Sequence, residues 1–257
     1  MFILSTHAPL VNIILKAVSS ASKVLVRDFG EVGFLQSSEK GLGSFVAKTD
    51  KRAESAIYRV LKEHFPRHNF LMEEAGRIEA SPGLESWLIV DPLDGSSNFF
   101  RGIPHFAISV AVQEAGELVA AVVYDPLKNE VFWAHKGMGA FLNRTRLRLN
   151  SPKLSCQPMF SMNLRRDQDS ELKALRRIEA KVRSFGVTSL ALAYVAAGRF
   201  DGVLEWNPNP WDVAAGMLLV KEAGGQVSHK DPFEKKNAFM AGSIPGYILL
   251  SQALRTV

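Results

Sequence analysis

The sequence predicts an α+β fold in which helices and sheets form successive layers. Two amphipathic helical segments open the chain, and three strand-like segments separated by short turns follow near its middle. Strand-like and helical segments then alternate after about residue 150. We therefore expect two lobes: residues 1–148, with an antiparallel sheet, and residues 149–257, with alternating strands and helices.

Two helices are predicted at the start of the chain. The first covers residues 9–28, where apolar residues recur at helical spacing. The second begins near Asp50 and ends before Pro66, because proline cannot continue a helix. A polar, glycine-bearing stretch from Gln36 to Ser44 is expected to separate them.

Two short strands are predicted next, and each ends on an acid, at Glu73 and at Asp91. Pro92 should stop the second strand, because proline cannot donate a ladder hydrogen bond. Short turns then predict an antiparallel meander with strands over residues 106–113, 118–124 and 130–134. In the second lobe, strands are expected near residues 158–162, 182–185 and 202–206, and helices near 169–181, near 188–197 and from Asp212.

Composition is that of an ordinary globular protein. A chain of 257 residues with 47% hydrophobic and 22% charged residues can bury a large core. Its one cysteine, Cys156, excludes an intramolecular disulfide and fits a reducing compartment. The apolar start lacks a basic leader, and we find no run of the ~18–20 apolar residues that span a bilayer. We therefore expect a cytoplasmic protein without a membrane partner.

The chain is basic, with a formal net charge of +5 and a pI near 9.3. Such a balance can attract phosphorylated substrates or nucleic acid, although a solvated basic face is the commoner explanation. Aromatic residues do not interleave with the basic clusters, so binding of nucleic acid is possible but unsupported. The clusters contain Arg144, Arg146 and Arg148, and then Arg165, Arg166, Lys173, Arg176, Arg177, Lys181 and Arg183.

The segment from Asp91 to Phe99 carries the strongest functional signal. Asp91 and Asp94 follow a buried-strand pattern, and Gly95 permits a tight turn after which small polar residues can start a helix. Two carboxylates beside free backbone N–H groups suit a magnesium ion together with a phosphate. The alternative is a plain turn, because Asp, Pro and Gly are the preferred turn residues.

Two further segments favour the metal site over the turn. Glu73 and Glu74 end an apolar run upstream, and Asp212 stands at the start of a helical pattern that closes at Gly224. An isolated Asp at a helix start is usually only an N-cap. Three apolar segments that each deliver an acid at one end instead predict that these acids converge on one edge of the core.

These motifs resemble those of the inositol monophosphatase family, which belongs to a superfamily of magnesium-dependent, lithium-sensitive phosphatases. The match runs from about Ser44 to the C-terminus and includes both signatures, Trp87–Phe99 and Trp211–Gly225, in the right order. The resemblance implies a layered αβαβα sandwich of the inositol monophosphatase and fructose-1,6-bisphosphatase type. It also implies hydrolysis of a small phosphate monoester, such as inositol-1-phosphate, by metal-activated water. A homodimer is the family-based expectation.

By this resemblance, Mg²⁺ is the cofactor and its ligands come from the acidic motifs. Glu73, Asp91 and the backbone carbonyl of Leu93 would hold one ion, and Asp91, Asp94 and Asp212 would hold a second. Four clustered carboxylates repel one another and need a cation to stay ionised together. Two ions can activate a water and stabilise the leaving oxygen.

The resemblance also assigns the phosphate and the attacking water. Phosphate would lie on the backbone N–H groups of Gly95 and Ser96. The Ser96 hydroxyl, where the family usually has Thr, would bond the attacking water, and Asp50 would pair with that hydroxyl. Together with Glu73, Asp50 and Ser96 are the expected catalytic residues. Asp50 could equally be the N-cap of the helix that follows, and both roles could hold.

Substrate selection is implied for Asp94, for Glu205 and for the segment Gly186, Val187 and Thr188. A carboxylate at Glu205 can accept hydroxyl hydrogen bonds and so select polyols, and the alternative is a surface residue of a strand. The family often has Gly-Thr-Ala or Gly-Ser-Ala where this chain has Gly186-Val187-Thr188. Fructose-1,6-bisphosphate, histidinol phosphate and an adenosine bisphosphate therefore stay open as substrates.

A second function of another class is also open. The same fold could serve as a regulatory module that binds RNA or protein through its basic surface. The intact set of acids favours the enzyme, because a binding module has no need to retain mutually repelling carboxylates.

Overall fold

The structure, a computed structural model, describes residues 8–35, 39–80, 83, 85–149, 157–163, 169–234 and 237–255. Five layers alternate in the order helices, sheet, helices, sheet, helices, as the α+β prediction requires. The large sheet lies within residues 69–147 and the small sheet within residues 159–242. The division into lobes at residues 148 and 149 stays a prediction.

The first layer consists of helices α1 (Pro9–Leu35) and α2 (Glu39–His64), which pack on each other and on the large sheet. Both helices are longer than predicted. The prediction of a polar stretch between them is wrong from Glu39 to Ser44, because these residues belong to α2. Residues 36–38 of that stretch lie outside the described residues. Gly41 and Gly43 are weak helix formers that concealed the continuing apolar spacing of Leu42, Phe45 and Val46. Asp50 therefore lies inside α2, so its interpretation as an N-cap is wrong.

α1 has the length and apolar composition of a membrane span, from Pro9 to Gly33. In the fold, its buried face includes Val11, Ile14 and Leu25, which pack in the core against the large sheet. A core helix that is covered by other elements has the same composition, so the pattern alone does not place this helix in a membrane.

The large sheet has eight strands in the order β2-β1-β3-β4-β5-β6-β7-β8. The predicted meander is confirmed in β4 to β6, and β1 and β3 pair in parallel. β3 does not stop at Pro92, as predicted, but continues to Asp94 after a register shift that accommodates the missing donor. The strands are β1 (Asn69–Met72), β2 (Gly76–Ile78), β3 (Ser86–Asp94), β4 (Ala107–Glu114), β5 (Glu117–Asp125), β6 (Glu130–His135), β7 (Gly139–Leu142) and β8 (Thr145–Leu147).

The small sheet has five strands in the order β10-β9-β11-β13-β12. The predicted C-terminal alternation is confirmed, with strands β9 (Met159–Met162), β10 (Lys181–Arg183), β11 (Gly202–Trp206), β12 (Gln226–Val227) and β13 (Ala238–Gly242). The helices of this lobe are α4 (Asp169–Arg177), α5 (Thr188–Ala196), α6 (Pro210–Glu222) and α7 (Ile244–Leu254). A short helix, α3 (Ser96–Phe100), follows β3 in the first lobe.

The central helix layer is formed by α5 and α6, which are buried between the two sheets. A Cβ at Gly216 of α6 would lie 2.4 Å from Leu192 of α5, so this glycine allows the two helices to approach closely. Phe160, Leu175 and Leu250 form a separate core where α4 and α7 cover the outer face of the small sheet. The first turn of α5 lies beside the end of β3, because Ser189 donates to Asp94 there, and Asp212 in the first turn of α6 acts on the same carboxylate.

Candidate active site

The predicted convergence of acids begins with the parallel pair β1 and β3. Met72 is in register with Val90, so the next residues along the two strands, Glu73 and Asp91, lie side by side at the same sheet edge. The Glu73 N–H donates to the Val90 carbonyl at 3.2 Å, and the Glu73 and Asp91 carboxyl groups are hydrogen bonded. Two carboxyls can bond in this way only when they share a proton.

Asp94 and Asp212 bring the third and fourth carboxylates to this edge. Asp94 stands at the end of β3 after the register shift, and its Oδ2 accepts hydrogen bonds from Ser189 of α5. Asp212 does not open α6, as predicted, but stands two residues after the first residue, Pro210, and its Oδ2 accepts from the Asn209 N–H at 2.8 Å. Asn209 and Asp212 form a capping box, so Asp212 stabilises the helix start from within it.

Burial and mutual repulsion raise the pKa values of these acids. Asp91 is almost fully buried, and its pKa is raised well above its usual range by burial first and then by Asp94, Glu73 and Asp212. The pKa of Asp94 is raised to about 7, by burial and then by Asp212. Burial likewise raises the pKa of Glu73, with Asp212 adding to the effect. The carboxylates are therefore close enough to oppose one another's ionisation.

Asp50 faces the same region from α2. Its Oδ1 atom is buried without a hydrogen-bond partner in the described structure. The pKa of Asp50 is raised to about 8, by burial first and then by the nearby carboxylates of Glu73, Glu74 and Glu54. A cavity of about 550 Å³ opens beside it, lined by Gly43, Val46, Ala47, Asp50, Glu74, Ser96, Ser97, Phe100 and Arg101. Asp50 and Ser96 thus line one cavity, and their direct pairing stays a prediction.

Gly95 and Ser96 form the turn between β3 and α3. Gly95 has φ +97°, and a Cβ there would lie 2.8 Å from Val187 Cγ2 and 3.2 Å from the His105 carbonyl oxygen. The structure therefore requires glycine for backbone conformation and packing, whatever binds nearby. Ser96 is exposed and begins α3. The phosphate-binding role of both residues stays a prediction.

Besides Asp94, the residues predicted to select substrate come from two elements, the start of α5 beside this turn and strand β11 of the small sheet. Val187 is buried against Gly95, while Gly186 donates to Asn163 Oδ1 and Thr188 accepts from Asn163 Nδ2, each at 3.1 Å. Glu205 is only 4% exposed, so its alternative interpretation as a surface strand residue is wrong. The structure does not test the substrate-binding role of any of these residues.

A family model described as the inositol monophosphatase family matches residues 7–246. The chain belongs to this family. The inositol-1-monophosphatase of Rhizobium meliloti is 44% identical over 259 residues, which cover 98% of this chain and 96% of the relative. Membership makes the chain a phosphoric monoester hydrolase.

Other relatives in the inositol monophosphatase family have a different name. The protein called Nus factor SuhB from Pseudomonas aeruginosa is 39% identical over 248 residues, which cover 91% of this chain and 92% of the relative. The crystal structure of extragenic suppressor protein suhB from Bartonella henselae superimposes with a TM-score of 0.84 at 37% identity. That match covers 97% of this chain and 99% of the solved chain, so the layered fold is shared over nearly all of both chains.

The donor set fits the hard cation expected in the inositol monophosphatase family. The charged groups that act on Asp91 are all carboxylates, so a positive charge is needed for the cluster to ionise. Carboxylate and carbonyl oxygens are the ligands that magnesium prefers. Within the described parts of the chain, no three acidic, histidine or cysteine side chains are already arranged around an ion-sized site. The residues present fit the ion chemically and would have to adjust to hold it.

Two residues of this region were not predicted from the sequence. Ser189 binds Asp94, and Glu54 of α2 accepts the Glu74 N–H at 2.9 Å through Oε2. Ser189 directly follows the Gly186–Thr188 segment, which was the one available signal. Glu54 gave none, because a single Glu in an amphipathic helix is usually part of the solvated face.

Proposed function

We propose that this phosphatase hydrolyses a small phosphate monoester, such as inositol-1-phosphate, in a magnesium-dependent reaction at the edge formed by Asp91 and Asp94. The observation that carries the proposal is the set of four carboxylates delivered by β1, β3 and α6. These acids raise one another's pKa values, and a soluble fold gains nothing from such repulsion unless a cation offsets it.

The proposed ligands divide into two groups that share Asp91. Glu73, Asp91 and the carbonyl of Leu93 would hold one ion, and Asp91, Asp94 and Asp212 would hold the other. Asp91 Oδ1 already accepts the Leu93 N–H at 2.9 Å, which fixes the carboxylate relative to its own backbone. Bound magnesium would lower the pKa of a coordinated water and offset charge on the phosphate.

The chain's own polar groups would orient the water and the phosphate. We propose that backbone N–H groups at Gly95 and Ser96 donate to phosphate oxygens. The Ser96 hydroxyl would accept a hydrogen bond from the attacking water while donating its own hydrogen to Asp50 Oδ1. Support comes from the cavity that Asp50 and Ser96 line together and from the buried Oδ1 atom of Asp50, which has no hydrogen-bond partner among the described residues.

Substrate selection is proposed for the side of the site that faces the small sheet. Glu205 on β11 would accept hydrogen bonds from hydroxyl groups of the substrate, together with Asp94. Gly186, Val187 and Thr188 would shape the remaining wall. Glu205 is buried on β11 and so is not one of the solvated surface acids, which supports a dedicated role.

Substrate profiling tests this proposal. Phosphate release is measured with saturating Mg²⁺ on inositol-1-phosphate, fructose-1,6-bisphosphate, histidinol phosphate and an adenosine bisphosphate. We expect hydrolysis of at least one small polyol phosphate that is lost on Glu205→Ala. Equal, trace-level release from all four would contradict the proposed substrate class.

The relatives named Nus factor SuhB favour a second candidate, a regulatory role in binding RNA or protein. The net charge of +5 is compatible with an RNA partner. Salt-dependent retention on immobilised RNA at physiological ionic strength, unchanged in Asp91→Asn, would support it. Loss of retention at physiological salt would leave the enzyme as the single proposed function.

We further propose a homodimer located in the cytoplasm. Ile103 and Phe185 are large apolar side chains that are both about half exposed, as residues of a dimer interface would be in the free chain. Light scattering on the peak that elutes from a size-exclusion column distinguishes a monomer from a dimer. A mass near 28 kDa, that of one chain, would contradict the dimer.

A further inference from the structure

Helix α5 begins without a capping side chain of its own. Its N-cap residue is Val187, which has extended backbone geometry and no side-chain oxygen. The first N–H groups of a helix have no partner within the helix and need acceptors from elsewhere. The Ser189 N–H finds one in Asp94 Oδ2 at 2.7 Å, across a sequence distance of 95 residues.

Ser189 gives Asp94 a second hydrogen bond through its side chain. The Ser189 hydroxyl donates to the same Oδ2 atom at 2.5 Å, and Ser189 is fully buried. A single oxygen that accepts both a backbone and a hydroxyl donor has its position fixed. Neither of these two hydrogen bonds uses the other oxygen of the carboxylate, Oδ1.

We infer that Ser189 is a positioning residue that fixes Asp94 as a one-oxygen ligand, through Oδ1, for the second magnesium ion. This inference rests on the proposed function. The hydroxyl that orients a metal-binding carboxylate commonly matters as much as a ligand, and its loss typically lowers metal affinity about 10- to 100-fold.

The position of Ser189 also connects the proposed second ion site with the segment proposed to contact substrate. It is the second residue of α5, directly after Thr188, so the same first turn that binds Asp94 carries the segment proposed to contact substrate. The first ion's proposed ligands, Glu73, Asp91 and the Leu93 carbonyl, lie outside this contact. Ser189 should therefore affect the second ion and leave the first ion unchanged.

The test is a titration with Mn²⁺ in the presence of inorganic phosphate, followed by the electron paramagnetic resonance signal of free Mn²⁺. Ser189→Ala removes the hydroxyl and keeps the backbone donor. Ser22→Ala is the matched control, because Ser22 is a buried serine whose hydroxyl, among the described residues, donates to the Ser19 carbonyl within α1. We expect two classes of site in the wild type. In Ser189→Ala, the weaker class should lose affinity about 10-fold while the tighter class is unchanged.

The outcomes separate this inference from the proposed function. A wild-type protein that binds no Mn²⁺, or one class alone, contradicts the proposed two-ion function itself. Two classes that are identical in wild type and Ser189→Ala overturn the inference and leave the proposed function intact. Equal weakening of both classes also overturns it, because that result indicates a structural role. If circular dichroism shows that Ser189→Ala is unfolded, Ser189→Cys is used in its place. Cysteine is similar in size to serine, and its thiol is only a weak hydrogen-bond donor.

Discussion

Asp50→Asn should change how the stability of the metal-free protein depends on pH. Asp50 is buried on α2, and its pKa is raised from an ordinary value of 3.8 to about 8. The folded protein therefore holds a proton at Asp50 between about pH 4 and pH 8, whereas the unfolded chain has released it. Stability due to this group is present in acid and is lost as the pH rises toward 8.

The magnitude follows from the two pKa values. Between about pH 4 and pH 8, the unfolding free energy of the wild type falls by about 1.4 kcal/mol for each pH unit because of Asp50. The Asp50→Asn variant does not show this loss, because asparagine does not titrate. Between pH 5 and pH 7, the advantage of Asp50→Asn should thus grow by up to about 2.7 kcal/mol. The neighbouring cavity admits water, so we expect about half of this value or more.

Urea unfolding in EDTA at pH 5, 6 and 7 measures the effect. Asp28→Asn provides the control, because Asp28 is equally buried but accepts from the Thr49 hydroxyl at 2.7 Å and pairs with Arg52. That control should lose stability, since Arg27, Thr49 and Arg52 all lose a charged acceptor. Stability curves for wild type and Asp50→Asn that run parallel from pH 5 to pH 7 would refute the reasoning.

Three further predictions concern the site and its turn. Glu205→Ala should change the ranking of phosphate substrates more than the Mg²⁺ requirement, as measured by kcat/KM on each substrate; an unchanged ranking with a much higher Mg²⁺ requirement would contradict its role. Lithium should inhibit phosphate hydrolysis at Mg²⁺ concentrations that support turnover. An exchangeable all-oxygen metal site can accept this small cation, whose single charge stabilises the leaving oxygen poorly. Equal rates in lithium chloride and potassium chloride would argue against the proposed second ion site. Gly95→Ala should lower stability by about 2–4 kcal/mol, since it adds a clash with Val187 to the strain of a positive φ. Gly76→Ala is the control, because Gly76 has φ +71° but open space around the new Cβ, so this variant has the backbone strain without the clash. In thermal unfolding of both variants, Gly76→Ala should lose less stability than Gly95→Ala.

The sequence predicted the elements whose cues are local. β11 has the predicted bounds, Gly202–Trp206, and the meander was recognisable because short polar turns separate its strands. Predictions went wrong where tertiary packing overrides a local cue. α2 continues through Gly41 and Gly43, and β3 passes Pro92 because a register shift between Asp91 and Asp94 accommodates a residue that has no N–H to donate.

The site was predictable in its residues but not in its contacts. Acids at the ends of apolar segments indicated Glu73, Asp91 and Asp212, yet the parallel pairing of β1 with β3 that brings two of them together is a non-local choice. The Asp94–Ser189 contact joins residues 95 positions apart and has no periodic signal. The burial of Glu205 likewise depends on its place in β11, opposite Phe239 of β13.

The central claim is that the carboxylate cluster holds magnesium for phosphate hydrolysis. Release of phosphate from inositol-1-phosphate as a function of Mg²⁺ concentration, in wild type and Asp91→Asn, tests it most directly. We predict Mg²⁺-dependent turnover in the wild type that EDTA abolishes, and loss of turnover in folded Asp91→Asn at every Mg²⁺ concentration, because both proposed ion sites share that carboxylate. Near-wild-type turnover by Asp91→Asn at saturating Mg²⁺ would contradict the claim.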